Sequence, residues 1–166
     1  AIMLPSINPY IRPIGTSLEE WCNTKISEME DKILSIGPDQ IGCFIAEPIL
    51  ASGGVIVPPP GYHQRSLELC KKHNIVYISD ETVTGFGRLG HWFASKEVFG
   101  IQPDIITCAK GLTSGYLPMG AAIISESLID GIKNTDGSQP FTNGYTYSCH
   151  PVAAKAALTN IDIMSK

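Results

Sequence analysis

The chain has 166 residues, of which 43% are hydrophobic and 17% charged, the profile of one globular domain with a core of its own. Twelve basic against sixteen acidic residues give a formal net charge of −4 without any basic block, which argues against nucleic acid or an anionic membrane as partner. The longest apolar runs are of strand length, too short to cross a bilayer, and the opening "AIMLPSINPYIRP" lacks the basic flank and apolar stretch of a signal peptide.

Residues 1–16 are rich in Pro and Gly and read as an irregular arm. Residues 17–36, "SLEEWCNTKISEMEDKILSI", predict a helix. Ser17 and Glu20 have the spacing of a capping box, and Trp21, Ile26, Met29, Ile33 and Leu34 fall roughly on one face. Gly37-Pro38 ends it. "IGCFIAE" (41–47) predicts a buried strand, "ILASGGVIVPPPGY" (49–62) a long loop with an apolar patch, and "YHQRSLELCKKHN" (62–74) a second helix. Further strands are expected at "IVYISDE" (75–81), "DIITCAK" (104–110) and "GAAIIS" (120–125). A last helix, "PVAAKAALTNIDIM" (151–164), begins on Pro151, which suits a first turn.

Strands alternating with helices predict an α/β fold with a mainly parallel twisted sheet and helices on its faces. The five cysteines are scattered, odd in number and never in C-x-x-C spacing, so they read as reduced thiols of a cytosolic protein. The four histidines show no metal-ligand spacing, so no metal is expected.

Three predicted strands end in a charged residue: Glu47, Asp80 and Lys110. Open α/β sheets bind ligands just outside the carboxyl ends of their strands, where such charges can converge. Each could equally be the first solvated residue after a buried strand. Lys110 is the most telling. An amine leaving a dry strand beside Cys108 and Ala109 is partly desolvated, which disfavours the ammonium and favours the nucleophile. Pyridoxal phosphate (PLP) enzymes need such a lysine for a Schiff base, and a carboxylate facing the pyridinium nitrogen, which Asp80 could supply.

Gly85, Gly87 and Gly90 match G-x-G-x-x-G in "GFGRLGHWF". A dinucleotide site would open a helix there and place its acid about 20 residues later. Here the stretch runs into aromatics and the acid precedes the glycines, so the glycines are expected to let the backbone turn tightly away from Asp80.

The segments "FIAEPILASGGVIVPPPGY", "SDETVTGFGRLGHWFA", "QPDIITCAKGLTSGYLPMGAAIIS" and "GYTYSCHPVAAKAAL" resemble the class III, fold-type I PLP aminotransferases. Within that class they are most similar to the ω-amino acid and amine:pyruvate group. The resemblance runs from about residue 38 to the end, and more loosely back to residue 1. It implies the large PLP-binding domain, and transfer of an amino group from an amine or ω-amino acid to a keto acid such as pyruvate. It implies Lys110 as the Schiff-base lysine that also shuttles the proton, and Asp80 as the partner of the pyridinium nitrogen. It implies Thr82 on the ring face, where the family usually has an apolar residue; the Thr hydroxyl then needs a hydrogen-bond partner. Glu47 would lie near the site, bonding or gating substrate charge. Thr146, in "YTYS", would hold the phosphate of the neighbouring subunit in a homodimer. Cys149 stands where the family usually has glycine and reads as a small buried thiol.

The same motifs serve an aminomutase, racemase or decarboxylase, since the cofactor carries the hard chemistry. A piece of the scaffold without activity is the remaining alternative. The family's phosphate-cradling helix start, its ring-stacking aromatic and its small C-terminal domain find no counterpart here. Residues 1–166 therefore read as a single partial domain, the middle of a longer protein, with both ends cut.

Overall fold

The structure, a computed structural model, describes residues 1–133 and 142–166. Its centre is a four-stranded sheet in the order β1 (Cys43–Ala46), β2 (Val76–Asp80), β3 (Ile105–Cys108) and β4 (Ala121–Ile124). The first three strands are parallel and β4 runs antiparallel to β3. Five helices accompany it among the described residues: α1 (Leu18–Ile36), α2 (Tyr62–Lys72), the short α3 (Ala94–Glu97), α4 (Glu126–Lys133) and α5 (Pro151–Met164). This is the expected α/β architecture with a mainly parallel sheet.

The capping box of α1 forms as its sequence predicts. Glu20 N–H donates to Ser17 Oγ at 3.1 Å, and Ser17 N–H to Glu20 Oε2 at 2.7 Å. Gly37 closes the other end by donating its N–H to Ile33 O. The buried stripe of α1 is Trp21, Cys22, Lys25, Ile26, Met29 and Ile33, stepping by three or four residues. Leu34, expected on that face, is exposed, because one residue beyond Ile33 the helix has already rotated away. Met29 and Ile33 meet Leu67, Leu69 and Cys70 of α2, together with Ile75, Tyr77 and Ile101, to make the main core.

Other boundaries differ from the sequence reading. The second helix stops at Lys72, with His73 as its cap. β1 is a half-exposed edge strand, with Cys43 and Ile45 outward, and not a buried one. β3 ends at Cys108, so Lys110 lies beyond the strand in a 3-10 turn, Lys110–Thr113. Ala109 explains it: with φ −158° and ψ −140° it leaves the strand ladder. α4 was not foreseen, since it is short and carries Gly131 in its interior. Cys149 is exposed, on a turn where its φ is 58°, and is not the expected buried thiol. The arm at residues 1–16 is irregular apart from one 3-10 turn at Pro9–Ile11. No helix among the described residues is long and apolar enough to cross a membrane.

The α1 stripe makes a sharp contrast testable by chemical denaturation. Ile33→Ala should cost about 2–5 kcal/mol, as for a large aliphatic lost from a packed core. Leu34→Ala, on the next position, should stay within about 0.5 kcal/mol.

Candidate active site

Parallel pairing brings the carboxyl ends of β1, β2 and β3 to one edge of the sheet, with Ala46 beside Ser79 and Asp80 beside Thr107. Glu47, Asp80 and the turn that begins at Lys110 all leave from that edge. Asp80, the last residue of β2, accepts hydrogen bonds at Oδ1 from Thr82 N–H and from the Thr107 hydroxyl, each at 3.1 Å. Burial opposes its ionisation. The hydroxyl and N–H of Thr82, the Thr107 hydroxyl and the nearby charge of Lys110 outweigh burial and hold the carboxyl below the usual aspartate value.

Lys110 sits at the start of its turn with φ 35°, a left-handed conformation that side-chain-bearing residues rarely adopt. Its side chain is exposed, so the desolvation expected from a dry strand is not supplied by this chain. The turn swings the lysine off the strand and out over the edge. Gly111 permits this, because a Cβ there would lie 2.8 Å from Phe86 Cβ. Phe86 in turn packs edge-on against Trp92 and Phe93. A cavity of about 370 Å³ opens beside this turn, lined mainly by apolar side chains that include Ile49, Val83, Phe86 and Leu89, with Lys110 on its wall. Asp80 does not line it.

Glu47 follows β1, and its Oε2 accepts Ala51 N–H at 3.1 Å, which shapes its own loop; among the described residues it bonds to none of Asp80, Thr82 and Lys110. Thr146 lies on the exposed turn 145–149, where Ser148 Oγ accepts Tyr145 N–H, and it has no hydrogen bond to the other four among the described residues. Asp80, Thr82 and Lys110 are therefore brought together, whereas Glu47 shares only the edge and Thr146 stands apart.

Two supporting residues escaped the sequence reading. Glu81 is completely buried and accepts hydrogen bonds from the Thr84 hydroxyl at 2.7 Å, Ala94 N–H at 2.9 Å and Ser95 N–H at 2.7 Å. It pins both ends of the 82–93 stretch, and Gly85 is needed there because a Cβ would lie 2.9 Å from the Glu81 carbonyl. A signal existed: consecutive residues at a strand end point to opposite faces, so the pair Asp80-Glu81 sends one acid out and one in. His63 is the second. Its Nε2 lies 3.0 Å from Pro48 O, so that nitrogen carries the hydrogen, and Nδ1 accepts from the Tyr77 hydroxyl at 2.9 Å. Burial pushes His63 below its ordinary value, although the Pro48 carbonyl and the Glu81 charge favour the cation. A neutral imidazole thus ties the loop after Glu47 to β2. Nothing in the sequence around His63 marks it.

The family described as aminotransferase class-III matches residues 2–166. The chain is 47% identical over 137 residues to the putrescine–pyruvate aminotransferase of Pseudomonas aeruginosa, covering 82% of this chain and 29% of that protein. Among solved structures, the thermostable (S)-enantioselective omega-transaminase from Thermomicrobium roseum superimposes with a TM-score of 0.92 at 40% identity, over 99% of this chain and 36% of the other. A PLP-bound amine transaminase from an uncultivated Pseudomonas species gives 0.91 at 40% identity, over 98% and 37%. The chain spans about a third of the length of the curated relatives it matches.

Two consequences are measurable. Glu81→Gln keeps the shape but aims an amide NH2 at backbone donors, and should cost about 1–3 kcal/mol in denaturant unfolding. Because the folded pKa of Asp80 lies below its unfolded value of about 4, its ionisation contributes stability above that pH, lost as pH falls through the depressed value. Thr107→Val should move the Asp80 titration upward, followed by carboxyl-carbon NMR.

Proposed function

The chain belongs to the class-III aminotransferases, and from that membership we propose that the whole protein moves an amino group from an amine or ω-amino acid to a keto acid such as pyruvate. The observation that carries this reading is the Asp80 carboxylate, held by Thr82 and Thr107 at a parallel-sheet edge from which the Lys110 turn also leaves. That donor set fits the family's cofactor, pyridoxal phosphate. When bound, PLP supplies a carbonyl that captures amines and a ring that takes up electrons.

The chain's own residues divide the remaining work. Lys110 Nζ would hold the cofactor covalently and would be the base at hand for the proton of the substrate carbon. Asp80 would be the partner of the ring nitrogen and would keep it protonated, since an ionised carboxylate stabilises the cation beside it. Thr82 and Thr107 fix the Asp80 carboxylate through their hydrogen bonds, and Thr82 would offer its methyl to the ring. The apolar wall around Phe86 and Val83 keeps water from the reacting atoms. Glu47 lies near enough to the edge to bond or gate substrate charge. Thr146, by the family resemblance, would hold the phosphate of a neighbouring subunit in a homodimer with shared sites. Residues 1–166 are then one part of a larger cofactor-binding domain. The five unpaired cysteines favour a cytosolic setting.

Reduction of the cofactor-loaded whole protein with borohydride, followed by peptide mapping, should place the pyridoxyl label on Lys110. A label on Lys71, Lys96 or Lys155 would sink the assignment. Lys110→Ala should abolish amino transfer with the fold retained. Asp80→Asn should still bind cofactor and turn over about a hundredfold or more slowly; a full rate would remove Asp80 from its role.

A further inference from the structure

The turn that carries Lys110 is held from a second direction, by α5. Asn160, on that helix, points its amide nitrogen at two consecutive carbonyls of the turn. Nδ2 lies 2.8 Å from Gly111 O and 3.2 Å from Leu112 O. It also lies 3.5 Å from Met164 Sδ, one helical turn further on. The contact reaches across 48 or 49 residues of sequence, so it belongs to tertiary structure and not to the turn's local preference.

The turn needs such support. Lys110 has φ 35° and Ser114, at the other end, φ 53°. Non-glycine residues persist in such conformations only where their surroundings over-determine them. Phe86 presses on Gly111 from the side of the 82–93 stretch, and Asn160 pulls on the carbonyls from the side of α5. Two oxygens facing one nitrogen demand a group with two N–H donors, which a side-chain amide offers and a carboxylate or an aliphatic group does not.

We propose that Asn160 is a positioning residue for Lys110, fixing through the Gly111 and Leu112 carbonyls the direction from which the amine meets the cofactor. This rests on the reading of Lys110 as the cofactor lysine. With Asn160 in place the lysine is presented in one conformation. Without it the strained turn relaxes, and the amine spends less of its time where capture occurs.

Three variants of the whole protein test this. Asn160→Ala removes both donors and keeps the helix. Asn160→Asp keeps the shape and sets oxygen against oxygen. Asn160→Gln keeps the amide on a longer arm. The first readout is pyridoxyl labelling of Lys110 by limiting cofactor and borohydride, across pH. The second is kcat and KM for an amine and pyruvate, with melting temperature alongside. Labelling and kcat should fall about tenfold in Asn160→Ala, at least as far in Asn160→Asp, with KM unchanged, and recover partly in Asn160→Gln. Should Asn160→Asp fail to fold, Asn160→Ala decides. Wild-type labelling and kcat in Asn160→Ala would overturn the proposal, whatever the melting temperature, and would leave the cofactor role of Lys110 intact. No label on Lys110 in the wild-type protein would overturn both.

Discussion

The buried carboxylate of Glu81 is the constraint on which the edge of the sheet depends. A carboxyl group without any exposure is costly unless it is hydrogen-bonded, and here three donors converge on it. Those donors come from Thr84 on one side of the glycine-rich stretch and from Ala94 and Ser95 on the other. The stretch is thereby drawn shut against β2. Closure sets Phe86 in place, Phe86 limits what can stand at Gly111, and Gly111 fixes where Lys110 leaves the chain. An acid buried beneath the edge thus governs the residue proposed to carry the cofactor.

Around this clamp the sheet supplies direction and the side chains supply chemistry. Three parallel strands end at one edge, so groups from β2 and from the turn after β3 meet without any need for proximity in sequence. Threonines do the fine adjustment: Thr82 and Thr107 approach the same oxygen of Asp80 from two segments and bias it towards the charged form. The neutral His63 braces the neighbouring loop by linking Pro48 to Tyr77. Each of these contacts orients a group at or beside the carboxyl edge of the sheet, and none of them lies on a long flexible arm.

What could be read from the sequence is what depends on local pattern. The capping box at Ser17, the short apolar runs and Pro151 at the head of α5 all mark their elements directly. Asp80 and Lys110 were visible because a charge ending an apolar run is conspicuous. Long-range packing was not visible. Leu34 was assigned to the core by an approximate period and misses it by a single residue of rotation. A charge closing an apolar run predicts Lys110 as the last residue of a strand, yet Ala109 leaves the ladder first. Apart from the near neighbours Thr84 and Met164, Glu81, His63 and Asn160 act through partners 13 to 49 residues away, and no periodicity encodes such distances.

The position of β1 has a practical consequence. Among the described residues no strand pairs with its outer side, and its sequence, "CFIA", holds neither proline nor charge to discourage one. Proteins that leave such an edge open usually blunt it with lysine, proline or a bulge. Two copies of this chain meeting edge to edge could zip into a continuous sheet, with Cys43 of each placed outward near the seam. Expression of this stretch alone therefore calls for a reducing buffer and low concentration, and an edge charge at Ile45 is the natural first change for keeping the chains apart.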